Sequence, residues 1–362
     1  MIPVVHLLSG ERPGAGGVGD YTGLLQSALE RRGARVSLWD VRQPGFRATF
    51  ERTLRADPGV VLLQYVPNAL GWRGLNVPFC AWVSALRRRG HDVRVMFHEP
   101  YFYFGWRRPW LNAVALAQRL MAAMLLRRAG TTYVSTATWV RYLQPFAPAS
   151  TRFVTTPIPS TLPPPAPALE TEWHRRLSTA PPSRLVCHFG TYGRHVADAL
   201  TPVVRSLLSR RGDVRLVCVG RGSDRFVDAL KAVCPQLADR LLATGALDGA
   251  AAAAALRACE VAVQPYPDGV TTRRTSIMAP LSLGVPTVTS LGFLTEPVWG
   301  AVRAVALAPA GDADAHARLI EALLDDETAR AATGATGAAA YEAHFSVDRT
   351  VDAILAPPAS VA

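Results

Sequence analysis

Adjacent arginines stand where a helix should begin. The run Gln264-Pro265-Tyr266-Pro267-Asp268-Gly269 closes an apolar strand and leads through Val270-Thr271-Thr272 to Arg273-Arg274-Thr275-Ser276. Ser276 is positioned to cap a helix that runs to Leu283, and Gly284 ends it. Two cations at the positive end of a helix dipole are unfavourable unless an anion joins them, and a diphosphate would do so. A solvated basic turn is the plainer alternative. A second run, Gly190-Thr191-Tyr192-Gly193-Arg194-His195, also follows an apolar strand. Its glycines permit close backbone approach, Thr191 offers a hydroxyl and Arg194 a charged fork for phosphate, although an ordinary turn would carry the same glycines.

The amino-terminal half offers a different set. Gly14-Ala15-Gly16-Gly17-Val18-Gly19 fits G-x-G-x-x-G, with Asp40 at the distance of a ribose-binding acid. In a dinucleotide site the first glycine follows the strand directly, whereas here Ser9 to Pro13 intervene, so a nicotinamide or flavin is not expected. A glycine-rich loop opening a helix near Asp20 can still attract a phosphate through free backbone N–H groups. His98-Glu99-Pro100-Tyr101 ends another strand. His98 could hydrogen-bond a sugar hydroxyl or relay a proton, or be only a satisfied strand-end histidine. Phe102 stands where H-E-x-x-H would need its second histidine, so no zinc site is predicted.

These runs need a scaffold. Strands are predicted at 4–8, 36–39, 60–63 and 93–97, with helices from Tyr21 to Gly33 and from Phe79 to Arg89 between them. The pattern restarts with strands at 185–189, 214–219, 261–264 and 287–289, and helices near 196–210 and 249–258. This βαβα order implies two parallel sheets covered on both faces, and ligands bind beyond the carboxyl ends of such strands. A proline-rich stretch, 161–182, separates the halves and ends at Pro181-Pro182, with a short helix around Glu170 to Leu177. The expected division is therefore 1–160, the linker 161–182, 183–340, and a terminal segment 341–362.

Composition narrows the partners. The chain has 362 residues and a formal charge of +11. All the excess lies in residues 1–170, which hold 20 Arg against nine Asp or Glu. That half is expected to meet something anionic, a membrane surface or a phosphorylated substrate, although an Arg-rich, Lys-poor composition would also produce the bias. No aromatic-and-basic recognition motif marks nucleic acid as a partner. Trp110 to Arg128 reads as an apolar, Arg-flanked helix, either core or membrane-surface. Cys80, Cys187, Cys218, Cys234 and Cys259 lack metal or disulfide spacing, and Cys187 and Cys218 sit in core-like runs. The opening MIPVVHLLSG reads as a strand rather than a signal, so a cytoplasmic place is expected, peripheral to the inner membrane face if the basic half docks there.

The order of these motifs resembles GT-B-fold retaining glycosyltransferases, the family 4-like group. The resemblance rests on Gly16 to Tyr21, His98-Glu99, Phe189 to Gly193, Val219-Gly220-Arg221-Gly222, Leu283 to Thr289 and the ending Tyr341 to Arg349. It implies two Rossmann-like domains facing across a cleft, with the terminal helix returning to the first. It also implies sugar transfer, with retention, from a nucleoside-diphosphate sugar to a saccharide or lipid-linked acceptor, as in polysaccharide biosynthesis. Arg194, Arg274 and His98 would be catalytic. Gly17, Gly19, Gly190, Thr191, Tyr192, Gly193, Arg221, Asp268, Gly269, Arg273 and Ser276 would hold the donor, and Asp20, Tyr21 and Glu99 the acceptor. No metal or other cofactor is expected, because the arginines would stabilise the leaving diphosphate. Many relatives carry two glutamates eight positions apart beside the donor. Here Asp268 takes the first place and Ser276 the second, so the acidic pair is incomplete. A nucleotide-sugar epimerase and a non-catalytic sugar-nucleotide-binding protein are the alternatives.

Overall fold

The structure is a computed structural model and describes residues 2–105, 109–178 and 183–356. The chain forms two compact units, Met1–Ile158 with Val347–Ala362, and Pro159–Ser346.

The first unit is built on a parallel sheet of six strands: β1 (Val4–Ser9), β2 (Arg35–Asp40), β3 (Val60–Tyr65), β4 (Asp92–Phe97), β5 (Thr132–Val134) and β6 (Phe153–Thr155). Their order is β2-β1-β3-β4-β5-β6. The central strands are mostly apolar because helices cover both faces, with His6, Gln64 and Arg94 as buried polar exceptions. Helix Gly17–Arg31 buries Tyr21, Leu25, Ala28 and Leu29 at helical spacing. Gly33, at φ 81°, turns the chain out of this helix as predicted. The three-residue strands β5 and edge β6 are too short to show an alternation in the sequence.

A helix late in the chain, Val347–Leu355, completes this unit. Val351 and Ile354 are buried with Val5, Tyr21 and Leu25. Arg94 Nη1 donates to Ile354 O at 2.6 Å, and Tyr133 OH to Ala353 O at 3.1 Å. Asp92 neutralises the same guanidinium at 2.8 Å. The resemblance implied this return, but it begins at Val347. Tyr341 and Phe345 remain in the second unit, where Phe345 stacks on Trp299 at 5.1 Å. Residues 357–362 of the expected terminal segment lie outside the described residues.

The second unit repeats the plan with β7 (Arg184–Phe189), β8 (Val214–Val219), β9 (Leu241–Ala243), β10 (Val261–Gln264), β11 (Thr287–Leu291) and β12 (Ala306–Pro309), in the order β12-β11-β10-β7-β8-β9. Much of the expected linker belongs to this body. Helix Pro167–Leu177 buries Trp173 and Leu177 against Leu185, Cys187 and the alanines 252–255. Apolar side chains at the right spacing made a packed helix of a stretch whose prolines suggested a spacer. Pro181-Pro182 lie outside the described residues.

Candidate active site

In the second sheet the winding reverses between β7 and β10, and a crevice opens beyond their carboxyl ends. Gln264 Nε2 bridges the switch by donating to Phe189 O at 3.1 Å. The turn after β10 is stapled to the turn after β11. Val270 N donates to Ser290 O at 2.8 Å, and Leu294 N to Asp268 O at 2.9 Å. Gly269 permits this contact: its φ is +93°, and a Cβ there would lie 2.3 Å from Thr295 Oγ1. Glu296, buried to 4% exposure, accepts from Thr272 N at 2.6 Å and Thr272 Oγ1 at 2.7 Å. This carboxylate fixes the approach to the arginine pair.

Arg273 and Arg274 converge on Asp268. Arg274 Nη2 donates to Asp268 Oδ1, and Arg273 Nη2 lies 3.5 Å from Oδ2. The guanidinium carbon of Arg274 also lies 4.2 Å from the centre of the Tyr266 ring. One carboxylate, Asp268, thus meets both guanidiniums. Thr271 Oγ1 and Arg274 Nε are buried without a hydrogen-bond partner, a demand that a polyanion's oxygens suit. A cavity of about 420 Å³ adjoins the cluster, lined by His195, Tyr266, Asp268, Arg273, Arg274 and Phe293. A second, of about 360 Å³, reaches from His195 and Tyr266 to Ser290 and His316. Both fall in the size range of ligand pockets.

Ser276 is not the cap the sequence suggested. Helix Thr275–Ser282 starts after Arg274, which stands at the cap position without a capping side-chain bond. Ser276 lies inside the first turn, its Oγ 2.7 Å from the Tyr266 hydroxyl. Burial pushes that phenol up to about 12, so it stays protonated.

The turn after β7 packs on the turn after β8. Gly220 has φ +118°, and a Cβ there would lie 2.3 Å from Gly190 O. Tyr192 faces inward, contrary to a donor-binding role. Its ring stacks on Phe226 at 5.1 Å and its hydroxyl donates to His188 O at 2.9 Å. Thr191, Gly193 and Arg221 are exposed. Gly193 caps helix Arg194–Arg210, whose first turn holds no acid. Arg194 is 91% exposed and meets only the i+4 carboxylate of Asp198, at 3.7 Å, among the ion pairs of the described residues.

In the first unit the glycine-rich loop already has anionic partners. Glu11 Oε2 accepts from Gly19 N at 3.3 Å, and Asp20 Oδ1 from Gly14 N at 2.7 Å. Gly19 is required by a close approach, since a Cβ would lie 2.0 Å from Arg12 O. Gly17 opens the helix at its exposed end. A phosphate here would face two carboxylates, so the clamp expected from Gly17 and Gly19 is electrostatically opposed. Tyr21, expected at the acceptor, is a core side chain at 1% exposure, packed edge-on against His98. Burial raises its phenol well above the usual range. Glu99 and Asp20 are exposed.

His98 is buried at the end of β4, and desolvation lowers its pKa to about 3. Its Nε2–H donates to Gln64 Oε1 at 2.8 Å, which leaves the lone pair of the neutral ring on Nδ1. Such a ring can accept a hydroxyl hydrogen bond, but it is a poor proton relay near neutrality.

The structure therefore gathers Asp268, Gly269, Arg273, Arg274 and, through Tyr266, Ser276. Gly190, Thr191, Gly193, Arg194 and Arg221 lie on the β7–β8 side, and His195 lines the cavity beside the arginine pair. Glu296, Tyr266, His195 and Phe293 were not foreseen as site residues. Among the described residues no group of three or more His, Cys, Asp or Glu could hold a metal ion. All five cysteines are buried and free.

Comparison with known proteins places this architecture. Residues 184–326 match the family model described as Glycosyl transferases group 1. Sucrose-phosphate synthase from Thermosynechococcus elongatus superposes with a TM-score of 0.69 at 16% identity, over 96% of each chain. HepE from Anabaena, solved in complex with UDP, gives 0.66 at 15% identity, over 97% of this chain and 98% of that one. WaaG, a glycosyltransferase involved in lipopolysaccharide biosynthesis, gives 0.66 at 14% identity, over 98% and 100%. No curated protein matches the sequence significantly. The fold is the two-domain GT-B α/β architecture, and the family match falls on the unit that carries the arginine pair.

Proposed function

We propose that this chain is a retaining glycosyltransferase that moves a sugar from a nucleoside-diphosphate sugar to a saccharide or lipid-linked acceptor. The observation that carries the reading is the pair Arg273 and Arg274 beside an open cavity, within the segment that matches Glycosyl transferases group 1. The second unit holds the donor. Its diphosphate displaces Asp268 from the two guanidiniums, takes up their charge, and meets the uncapped end of helix Thr275–Ser282. Arg194 and the exposed amino end of its helix add to that field. Negative charge that develops on the leaving diphosphate is stabilised by groups already in place, and no protein nucleophile or metal is required.

Asp268, once released, is free to bind hydroxyls of the donor sugar. Neutral His98 accepts a hydroxyl hydrogen bond, and the first unit, with Asp20 and Glu99 exposed, serves the acceptor. The basic first half holds the enzyme at the cytoplasmic membrane face. The HepE structures in complex with UDP and UDP-glucose support uridine nucleotides as the first donors to try.

Thermal shift against UDP-, GDP-, ADP- and TDP-sugars, followed by product analysis with and without EDTA, tests the proposal. A raised Tm with one donor, and an EDTA-insensitive product of unchanged anomeric configuration, is the expected result. A chain that no nucleotide sugar stabilises and that forms no product sinks it. Turnover of donor without acceptor marks an epimerase, and binding without turnover a non-catalytic binding protein.

A further inference from the structure

Helix Trp110–Leu126 of the first unit is apolar on both faces. Val114, Ala115, Met121, Ala122, Leu125 and Leu126 face the core. Trp110, Leu116 and Leu120 face outward, each more than half exposed. Gln118, in contrast, is fully buried: its Oε1 accepts from Phe102 N at 2.8 Å and its Nε2 donates to Gly74 O at 3.4 Å. A helix made for water keeps its leucines in and its glutamine out, whereas this one exposes Leu116 and Leu120 and buries Gln118.

The buried amide ties two neighbouring segments to the helix, and both carry exposed rings. Trp72 is 75% exposed, and Tyr103 and Phe104 are more than half exposed. Two arginines knit these rings together. Arg73 lies 4.4 Å from the ring centre of Trp72 and 5.5 Å from that of Trp110. Arg119 lies 4.0 Å from Tyr101 and 3.9 Å from Phe104. Arg73 is held in the left-handed region, at φ 52°, an uncommon conformation for a side-chain-bearing residue.

The stretch of sequence that supplies this face is strongly basic. Between Asp57 and Glu170 the sequence holds 12 Arg and only two acids, Asp92 and Glu99. Asp92 is already paired with Arg94. No helix among the described residues is long and apolar enough to cross a membrane.

We propose that this face, centred on Trp72, Arg73, Trp110, Leu116 and Leu120, docks on the surface of an anionic lipid bilayer. Exposed tryptophan and tyrosine suit the headgroup level, leucines reach the acyl boundary, and arginines meet lipid phosphates. A saccharide platform would set hydrogen-bonding side chains beside its rings. Here Gln118 is buried, Asn112 Oδ1 is taken by the Gly105 amide, and the large exposed helix side chains after Trp110 are Leu116 and Leu120. The docking stands on the first unit alone. Its bearing on the acceptor, which would be carried on a lipid, rests on the transferase reading.

The test is co-sedimentation of the full chain, without nucleotide, with vesicles of phosphatidylcholine alone or mixed with phosphatidylglycerol. The chain should bind the mixed vesicles, more weakly as salt rises. The triple variant W110S/L116S/L120S, altered only at exposed positions, should lose about tenfold or more in partitioning while its melting temperature and UDP binding are retained. Absence of binding to mixed vesicles, equal binding to neutral ones, or an undiminished triple variant overturns the proposal. So does a wild-type dimer that the variant makes monomeric, if neither form binds vesicles. UDP binding by a chain that ignores vesicles would defeat the docking and leave the transferase reading intact.

Discussion

Glu296 takes both polar hydrogens of Thr272, the amide at 2.6 Å and the hydroxyl at 2.7 Å, from inside the second unit. Trp299 Nε1 approaches the same carboxylate at 3.4 Å. Removing the carboxylate strands a buried amide, at a cost of about 1–3 kcal/mol. Glu296→Ala should lower stability by that amount in chemical unfolding and weaken UDP binding, because the arginine turn loses its anchor. Glu296→Gln should recover much of the stability. Unchanged unfolding in the alanine variant would show that the turn holds itself.

Asp268 and an incoming diphosphate compete for the same guanidiniums. Asp268→Asn should therefore tighten UDP binding, by about three- to tenfold, while turnover falls. Arg274→Ala should weaken UDP binding by about ten- to a hundredfold, the worth of a charge-assisted hydrogen bond. Calorimetric titration with UDP decides. Weaker UDP binding in both variants would make Asp268 a positioning residue for the arginines rather than their competitor.

Burial lowers the pKa of His98 and of His188 to about 3. In the unfolded chain each ring has the ordinary histidine value, about 6.5. Between these limits the unfolded state binds more protons, so stability present above the unfolded pKa is lost as pH falls toward 3. Each ring contributes a slope of about 1.4 kcal/mol per pH unit in that window. Urea unfolding from pH 7 to pH 5 should show the loss, and a His188→Gln variant should show a shallower slope. A pH-rate profile with a wild-type inflection between pH 5 and pH 8 that His98→Asn removes would contradict a neutral, buried His98.

Gly220 combines a φ of +118° with a carbonyl oxygen where its Cβ would go. Gly220→Ala should cost about 1–3 kcal/mol and part the turns after β7 and β8. Equilibrium unfolding gives the stability, and UDP affinity reports the turn. An alanine variant as stable as wild type would mean that Gly190 yields freely.

Long apolar strands bounded by glycine made both central sheets legible from the sequence, because burial on two faces leaves a continuous hydrophobic run. The short strands β5, β6, β9 and β12, of three or four residues at or near the sheet edges, carry too few side chains for any period. The arginine pair was legible as a charge anomaly at a helix start. Its contact with Asp268, which the sequence offered only as a donor-binding acid, was not legible, because an intervening turn brings Asp268 back onto Arg273 and Arg274 in a way that spacing alone does not encode. Glu296 left no signal except an acid before Pro297 at the start of a short helix, which reads as an ordinary cap position. Tyr21 follows a glycine-rich loop, as a ligand residue would, yet its helical spacing with Leu25 and Ala28 was the better guide and put it in the core.

Arg94 and Tyr133 find backbone acceptors at Ile354 and Ala353. On a ribosome, those acceptors arrive only after the whole of Pro159–Ser346 has been made. The first unit must wait, with the Arg94 guanidinium short of one acceptor and an apolar face uncovered, while the second, continuous in sequence, can fold as it emerges. The order of synthesis is thereby the reverse of the order of completion.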